Sequence, residues 1–156
     1  MSRSGKFVQF EPKPDPMYKS VRVSKFINYL MLDGKKSVAQ KVLYDAFEEI
    51  KKQTNENPVE VFERALKNAS PNMEVRSQRV GGANYQVPRE VMPKRKMALA
   101  MRWILKICRL KKGKPMHKHL AEELISAASG EGEVVKKRED MHKMAEANKA
   151  FAHFAR

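Results

Sequence analysis

Apolar residues recur at steps of three and four along most of this chain, which is the spacing of one face of an α-helix. Asn57-Pro58 marks one helix start, because asparagine is a favoured N-cap and proline is tolerated at the first helical position. The helices predicted in this way cover approximately residues 20–32, 38–50, 58–69, 94–112, 116–129 and 134–154. The pattern therefore indicates a mainly α protein, with a single domain of about six helices.

The pattern changes from helical to alternating between Glu74 and Val91. Two β-rich runs, 74–80 and 85–91, flank the residues GGAN, which predicts a hairpin with a four-residue loop. Pro88 favours an edge position, because proline has no N–H to donate to a neighbouring strand. Two strands are marginally stable alone, so we expect a β-ribbon at about 74–91 that protrudes from the helical body.

The first 19 residues show no apolar period and contain Pro12, Pro14 and Pro16. We therefore expect an extended basic N-terminal arm at 1–19 that becomes ordered against a partner, and a helical domain at 20–156. The arm has no apolar stretch typical of an export signal, and no run approaches the roughly 18 apolar residues of a membrane-spanning helix. A soluble, unexported protein without a membrane association is expected.

Positive charge is concentrated in one stretch of the sequence. The chain carries 32 basic and 18 acidic residues, a formal net charge of +14. Residues 75–118 hold thirteen of the basic residues and a single acid, Glu90. Such a concentration predicts a polyanionic partner, and a solvated basic face is the less favoured interpretation.

Motifs for catalysis or cofactor binding are weak. The residues DGKKS at 33–37 lack the first glycine of a phosphate-binding loop, and Lys36 occupies the position of the magnesium-binding Ser or Thr. The glycine pair 81–82 lies between two predicted strands, so a turn explains it better than a dinucleotide-binding loop. His117 and His119 have no nearby Cys or acidic partner. We therefore expect no metal site and no cofactor.

Cys108 is the single cysteine of the sequence and lies on the apolar face of a predicted helix. A single cysteine excludes an internal disulfide and fits a reducing compartment, such as the bacterial cytosol or the interior of an organelle. We interpret this residue as a small buried hydrophobe.

Basic residues of the fourth predicted helix form a row. Arg95, Arg102, Lys106 and Arg109 follow one another at steps of seven, four and three, so they share a face opposite the apolar stripe. The residues Lys94–Lys96 continue this row towards the ribbon. The row is expected to contact phosphates.

The predicted ribbon combines cations with an aromatic ring. Arg76, Arg79 and Arg89 alternate with Gln78 and Tyr85, and we expect them on one surface that contacts phosphates. Tyr85 has two possible roles, stacking on an unpaired base or packing against the helical body. RNA is favoured over DNA, because no recognition-helix turn or zinc finger is evident and the basic surface spreads over arm, helix and ribbon.

Four blocks of the chain stand in a characteristic order: FINYLMLDGKKSVAQKVLYDAF, EVRSQRVGGANYQVPREV, ALAMRWIL and VKKREDMHKMAEANKAFAHF. Together they resemble the signature blocks of the small-subunit ribosomal protein seven family in its bacterial form, over about residues 15–154. The N-terminal residues MSRSGK are less arginine-rich than the arm expected for that family. The resemblance implies a mainly helical domain with a protruding β-ribbon, in agreement with the prediction from periodicity.

The resemblance also implies a function, a structural constituent of the small ribosomal subunit without any catalytic residue. Such a protein would bind the 3′ major domain of small-subunit rRNA directly and nucleate assembly of the head. Its ribbon and C-terminal helix would lie near the exit site, where tRNA and mRNA pass. The implied neighbours are head and platform proteins, including ribosomal proteins nine and eleven. The implied location is the ribosome, in the cytoplasm or inside an organelle.

The predicted contact residues combine the family's matching positions with the basic residues of the chain. Those expected to bind rRNA are Arg3, Lys6, Lys35, Lys36, Arg76, Arg79, Arg89, Lys94, Arg95, Lys96, Arg102, Lys106, Arg109, Lys111, Lys112, Lys114 and Lys118. Those expected to contact exit-site tRNA and mRNA are Gly81, Gly82, Asn84, Tyr85, Lys143 and Lys149.

Two other function classes remain open. A free RNA-binding translational repressor would use the same surface, and co-sedimentation with small subunits would distinguish it from a ribosomal component. An enzyme acting on RNA would need a general base or a metal within the basic stretch, where Glu90 is the single carboxylate.

Overall fold

The computed structural model describes residues 12–154, within which one β-ribbon lies between two groups of helices. The helices are α1 (Val21–Leu30), α2 (Lys36–Thr54), α3 (Pro58–Ala69), α4 (Pro93–Leu110), α5 (Met116–Ala128) and α6 (Glu133–Ala147), followed by a terminal 3-10 helix (Lys149–Phe154). The strands β1 (Met73–Val80) and β2 (Ala83–Glu90) form a two-stranded antiparallel sheet. The predicted mainly α fold with a β-ribbon is confirmed.

Side-chain caps set the starts of two helices. The Ser20 hydroxyl accepts a hydrogen bond from the Val23 N–H at 3.4 Å, before α1. The Asn57 side chain accepts one from the Val59 N–H at 3.1 Å, before α3. Each cap gives an acceptor to an N–H group that has no partner within its own helix, so these helix starts follow directly from the sequence.

The prediction of one continuous last helix over 134–154 is wrong. The regular helix α6 ends at Ala147 and a separate 3-10 helix follows. The Asn148 N–H makes the last regular helical bond, to the Met144 carbonyl at 3.2 Å, and the Asn148 side chain donates to the same carbonyl at 2.8 Å. The Phe151 N–H then bonds to the Asn148 carbonyl at 2.9 Å, which tightens the last turn.

The core lies between the helices and is dominated by aromatic and aliphatic side chains. Phe26, Phe47 and Phe62 are fully buried, and the Phe62 ring lies 5.2 Å from Phe26 and 5.7 Å from Phe47. α5 packs against α2, α3, α4 and α6, and its contacts with α2 and α3 are the most extensive between helices. Among residues 12–154, no helix combines the length and the apolar character needed to cross a lipid bilayer.

Trp103 marks the contact between α4 and α6. Its side chain is buried in the core, and the Lys137 Nζ of α6 lies 5.8 Å from the centre of its ring. A cation over an indole ring is attracted by the negative face of the ring. This contact therefore adds a polar component to the apolar packing of the two helices.

Residues 12–19, the described end of the predicted arm, contact α2. The Asp15 side chain is buried and accepts the N–H groups of Met17 and Tyr18 at 3.1 and 3.0 Å. It also accepts the Tyr44 hydroxyl of α2 at 2.8 Å. Burial and this hydrogen bond raise the pKa of Tyr44 to about 12. The Tyr18 ring packs 5.0 Å from Phe47, so this part of the arm shares the core of the helical body.

The hairpin loop is shorter than the predicted four residues. Val80 pairs directly with Ala83, so Gly81 and Gly82 alone form the turn. Their φ angles are +57° and +91°, and this combination is typical of the type I′ turn that suits two antiparallel strands. Because glycine adopts positive φ without steric cost, Ala83 and Asn84 can pair as strand residues rather than extend the loop.

Candidate nucleic-acid interface

The register of the ribbon divides its arginines between two faces. Arg76 pairs with Val87, whereas Arg79 pairs with Asn84. Successive residues of a strand point to opposite faces, so Arg76 and Arg89 lie on one face and Arg79 lies on the other. The interpretation of three arginines on a single ribbon surface is therefore wrong.

Tyr85 packs against the C-terminal segment of the chain. Its ring lies 5.2 Å from the rings of both Phe151 and Phe154 in the terminal 3-10 helix. Of the two roles considered for this tyrosine, packing is the one present in the structure. The packed rings hold the ribbon beside the C-terminal helices.

The tip of the ribbon is exposed and open. Gly81, Gly82 and Asn84 are exposed, and beyond its chain neighbours no heavy atom lies within 4 Å of the place where a Cβ would stand on either glycine. Two predicted exit-site lysines lie on the C-terminal helices and are also exposed. Lys149 pairs with Glu146 at 3.3 Å, and Lys143 has no ion-pair partner among residues 12–154. Because the tip of the ribbon is open, the turn can approach another molecule closely.

A buried carboxylate joins the ribbon to α4. The Glu74 side chain is 8% exposed and lies at the start of β1. It accepts a hydrogen bond from Arg76 Nε at 2.6 Å, and Arg95 Nε of α4 donates to its two oxygens at 2.9 and 2.7 Å. Two of the predicted contact residues are thus brought together by an acid that precedes the basic stretch.

Arg102 and Arg109 of α4 are held by α1. The Arg102 guanidinium lies 5.5 Å from the centre of the Tyr29 ring. Arg109 Nη2 donates to the Leu30 carbonyl at 3.2 Å, which satisfies a carbonyl at the end of α1. Together with Lys106 they border a cleft of about 240 Å³. All four cations of the predicted row are exposed on α4, and three of them, Arg95, Arg102 and Arg109, also make contacts within the protein.

Two further predicted contact residues, Arg89 of the ribbon and Lys96 of α4, have polar partners. Arg89 Nη2 donates to the Gln78 side chain at 2.8 Å, while its Nε is buried without a partner among residues 12–154. Lys96 Nζ donates to the Asn72 side chain at 2.8 Å. These bonds limit the rotamers of both cations and fix where their charges lie.

Lys111 and Lys114 are tied to α5. Lys111 Nζ lies 2.7 Å from the Glu123 carboxylate, whose side chain is 2% exposed, and Lys114 pairs with Glu122. Burial lowers the pKa of Lys111, but the hydrogen bond and charge of Glu123 outweigh this, so the net shift is upward. The Glu123 carboxylate also accepts the Val134 N–H at 3.0 Å. We conclude that Lys111 supports the packing of α5 and α6.

The remaining predicted cations within residues 12–154 are exposed and have no ion-pair or hydrogen-bond partner there for their charged groups. These residues are Lys35, Lys36, Arg79, Lys94, Lys106, Lys112 and Lys118. Arg3 and Lys6 lie outside the described residues. Exposed cations without an internal partner can contact phosphates without first breaking a bond within the protein.

The structure contains no arrangement for metal chemistry in its described part. Among residues 12–154, no three His, Cys, Asp or Glu side chains come together in a way that could hold a metal ion. His119 is buried, and Cys108 Sγ donates to its carbonyl at 3.6 Å. Burial raises the pKa of Cys108 to about 12, so its thiol remains protonated at neutral pH.

Sequence reasoning missed the contacts that orient the ribbon. Glu74 lies one residue before the basic stretch, and its bond to Arg95 spans 21 residues. His142 Nε2 accepts the Asn72 N–H at 2.9 Å, which joins α6 to the start of the ribbon. Neither contact follows a helical or alternating period. The alternation of Glu74 with Arg76 was the single available signal, because it puts both side chains on the same strand face.

Comparisons with known proteins give a consistent result. The family model described as "Ribosomal protein S7p/S5e" matches residues 2–149. The small ribosomal subunit protein uS7 of Moorella thermoacetica is 56% identical over 154 residues, which is 99% of each chain. The proteins of the same name from Caldanaerobacter subterraneus and Francisella tularensis are 54% and 56% identical, again over 99% of each chain.

Proposed function

Because the chain belongs to the family described as ribosomal protein S7p/S5e, we propose that it binds small-subunit rRNA directly and nucleates assembly of the subunit head. Family membership itself establishes a structural, non-enzymatic role in the small ribosomal subunit, with RNA binding and translation as its context. The proposal adds the 3′ major domain as the binding region.

The observation that carries the proposal is the set of exposed cations on the ribbon and on α4. Arg79, Lys94 and Lys106 are exposed and have no internal partner in the described part of the chain. They come from the segment that has a single acid among 44 residues. A surface of this kind binds the backbone of a folded RNA at several phosphates at once.

We further propose that the ribbon tip and the C-terminal helices contact tRNA and mRNA at the exit site. The exposed turn at Gly81 and Gly82 allows close approach of another backbone, and Lys143 adds an exposed cation on α6.

Head and platform proteins, among them ribosomal proteins nine and eleven, are the proposed protein neighbours. Crosslinking from Asn84 in assembled small subunits tests both parts, and crosslinks to neither tRNA, mRNA nor these proteins would contradict them.

The rRNA proposal is tested by salt-dependent binding to a transcript of the 3′ major domain. If about eight phosphates are contacted, the association constant should fall by about a thousandfold or more between 50 and 200 mM salt. A transcript of the 5′ domain is the matched control and should bind much more weakly. A flat salt dependence, or equal binding of both transcripts, would contradict the proposal.

Paired variants test which surface is used. The double variant Lys94→Ala and Lys106→Ala removes two exposed cations of α4, and we expect the slope of log K against log salt to decrease by about two. The control Lys51→Ala and Lys52→Ala removes two exposed lysines at the end of α2. It changes the net charge equally and should leave the slope nearly unchanged. Equal effects of the two variants would show that net charge alone drives binding.

A further inference from the structure

Glu74 is an acid that contacts two cations of the predicted RNA-binding surface. An exposed acid at that position would repel RNA phosphates, and the other acid of the ribbon, Glu90, is exposed on the opposite strand face. Glu74 differs because its side chain is 8% exposed and its carboxylate is shared by Arg76 and Arg95. The cluster of three side chains therefore keeps a net positive charge.

Both arginines bind Glu74 through the same edge of the guanidinium. The hydrogen bonds come from Arg76 Nε and Arg95 Nε, and the Nη groups of both have no partner among residues 12–154. The two side chains are 47% and 43% exposed. A guanidinium presents five N–H donors in a planar fork, so four donors on each arginine remain available.

The carboxylate also makes this arrangement of two like charges possible. Two guanidinium groups so close together repel one another, and a shared carboxylate between them offsets that repulsion. It removes rotamer freedom from two long side chains before a ligand arrives, which reduces the entropy lost on binding. Because Arg76 is in β1 and Arg95 is in α4, the same carboxylate fixes the ribbon relative to the helix.

We propose that Arg76 and Arg95 form one phosphate-binding site for an RNA backbone, and that Glu74 is its positioning residue. Glu74 acts through the two arginines and does not touch the phosphate. The free Nη groups present paired N–H donors, the geometry that suits two oxygens of one phosphate. This inference rests on the proposed rRNA-binding function and adds a specific site to it.

Two substitutions that change the charge equally distinguish a positioning role of Glu74 from a purely electrostatic effect on RNA binding. Glu74→Gln and Glu90→Gln each remove one negative charge from the same end of the ribbon. Simple electrostatics predicts slightly tighter RNA binding for both. Positioning predicts that Glu74→Gln weakens binding to the 3′ major domain transcript by about tenfold, the loss expected for a charged hydrogen-bonded contact. It also predicts that Glu90→Gln leaves binding unchanged or slightly tighter.

The salt dependence gives a second readout. If the phosphate site is lost in Glu74→Gln, the slope of log K against log salt should decrease by about one, and it should stay constant in Glu90→Gln. Circular dichroism confirms that each variant is folded before binding is measured. Equal affinities and slopes of the two variants would overturn the inference.

A variant with altered arginines keeps the inference testable if Glu74→Gln folds poorly. In the background Arg76→Gln with Arg95→Gln, binding is expected to be weakened already, and adding Glu74→Gln should cause no further loss. A further loss of affinity in that background would show that Glu74 acts by another route and would overturn the inference. Failure of the unsubstituted protein to bind the transcript would instead contradict the proposed function, so the two failures are distinguishable.

Discussion

The helical body and the ribbon are stabilised by different kinds of contact. In the body, aromatic and aliphatic side chains such as Phe62 are fully buried, and each helix contacts several others. The ribbon has two strands, and it is held at its base by Glu74 and along its length by Tyr85. We therefore expect the ribbon to depend on the body for its orientation more than the body depends on the ribbon.

Phe62→Ala should have the largest effect, because it breaks the body. Removal of a fully buried ring that contacts Phe26 and Phe47 is expected to lower the free energy of unfolding by about 3–5 kcal/mol. Urea unfolding followed by circular dichroism measures this loss. Ribbon and body should unfold together. A ribbon that stays ordered after the helices melt would refute the dependence of the ribbon on the body.

Asp15→Asn tests the contact between residues 12–19 and α2, and its effect should be smaller. The substitution keeps the shape but weakens the acceptor of the Tyr44 hydroxyl and of two backbone N–H groups. We expect a loss of about 1–3 kcal/mol in urea unfolding. The exposed Asp33 is the control, because Asp33→Asn should change the free energy of unfolding by less than about 0.5 kcal/mol. Equal effects would mean that the Asp15 contacts add no stability.

Tyr85→Ala should loosen the ribbon and spare the body. It removes the ring that contacts Phe151 and Phe154, each contact contributing about 0.5–1.5 kcal/mol. Hydrogen exchange should become at least about tenfold faster in the ribbon amides, with little change in α3. Asn84→Ala, at the exposed tip, is the control and should leave exchange in both regions unchanged. Equal acceleration in α3 would show that the two regions are not separable.

The smallest expected effect is the pH dependence of the link between α6 and the ribbon. Burial, followed by the charges of Arg138 and Lys96, lowers the pKa of His142, whereas Glu139 opposes this shift. The folded state thus favours the neutral ring that accepts the Asn72 N–H. The unfolded state takes up the proton first, so this stabilisation is complete above pH about 6.5 and is lost as the pH falls below it.

Urea midpoints between pH 8 and 5.5 measure this effect. His142→Gln should flatten the part of the pH dependence that lies below about 6.5. His153→Gln is the matched control, because that imidazole is exposed and contacts a carbonyl within its own 3-10 helix. If both variants leave the pH dependence unchanged, His142 does not link stability to pH.

The body could be predicted from sequence and the ribbon contacts could not, for a physical reason. Helix periodicity and the caps at Ser20 and Asn57 are local signals, and the structure has helices at all six predicted places. The turn at Gly81 and Gly82 was found, but its length was not, because loop length depends on which residues pair. The bond between Glu74 and Arg95 is a contact between distant segments, which no local period encodes.

In the candidate interface, too, local features could be predicted from sequence and contacts between distant segments could not. Charge counts alone identified the stretch that contains the exposed cations Lys94 and Lys106. They did not reveal that Lys111 is bound to the buried Glu123, or that Arg109 caps α1. Whether a cation is free depends on neighbours that only the fold brings close. The sequence therefore predicts where charge is concentrated better than it predicts which charges are available.

Trp103 has a practical consequence for the study of folding and assembly. It is the one tryptophan of the sequence, it lies in the core, and a lysine of α6 covers its ring. Its ultraviolet emission therefore gives a label-free optical signal of the moment when α6 docks onto α4. Since the ribbon contains no indole, a fluorophore attached at Asn84 would follow the tip independently in the same sample.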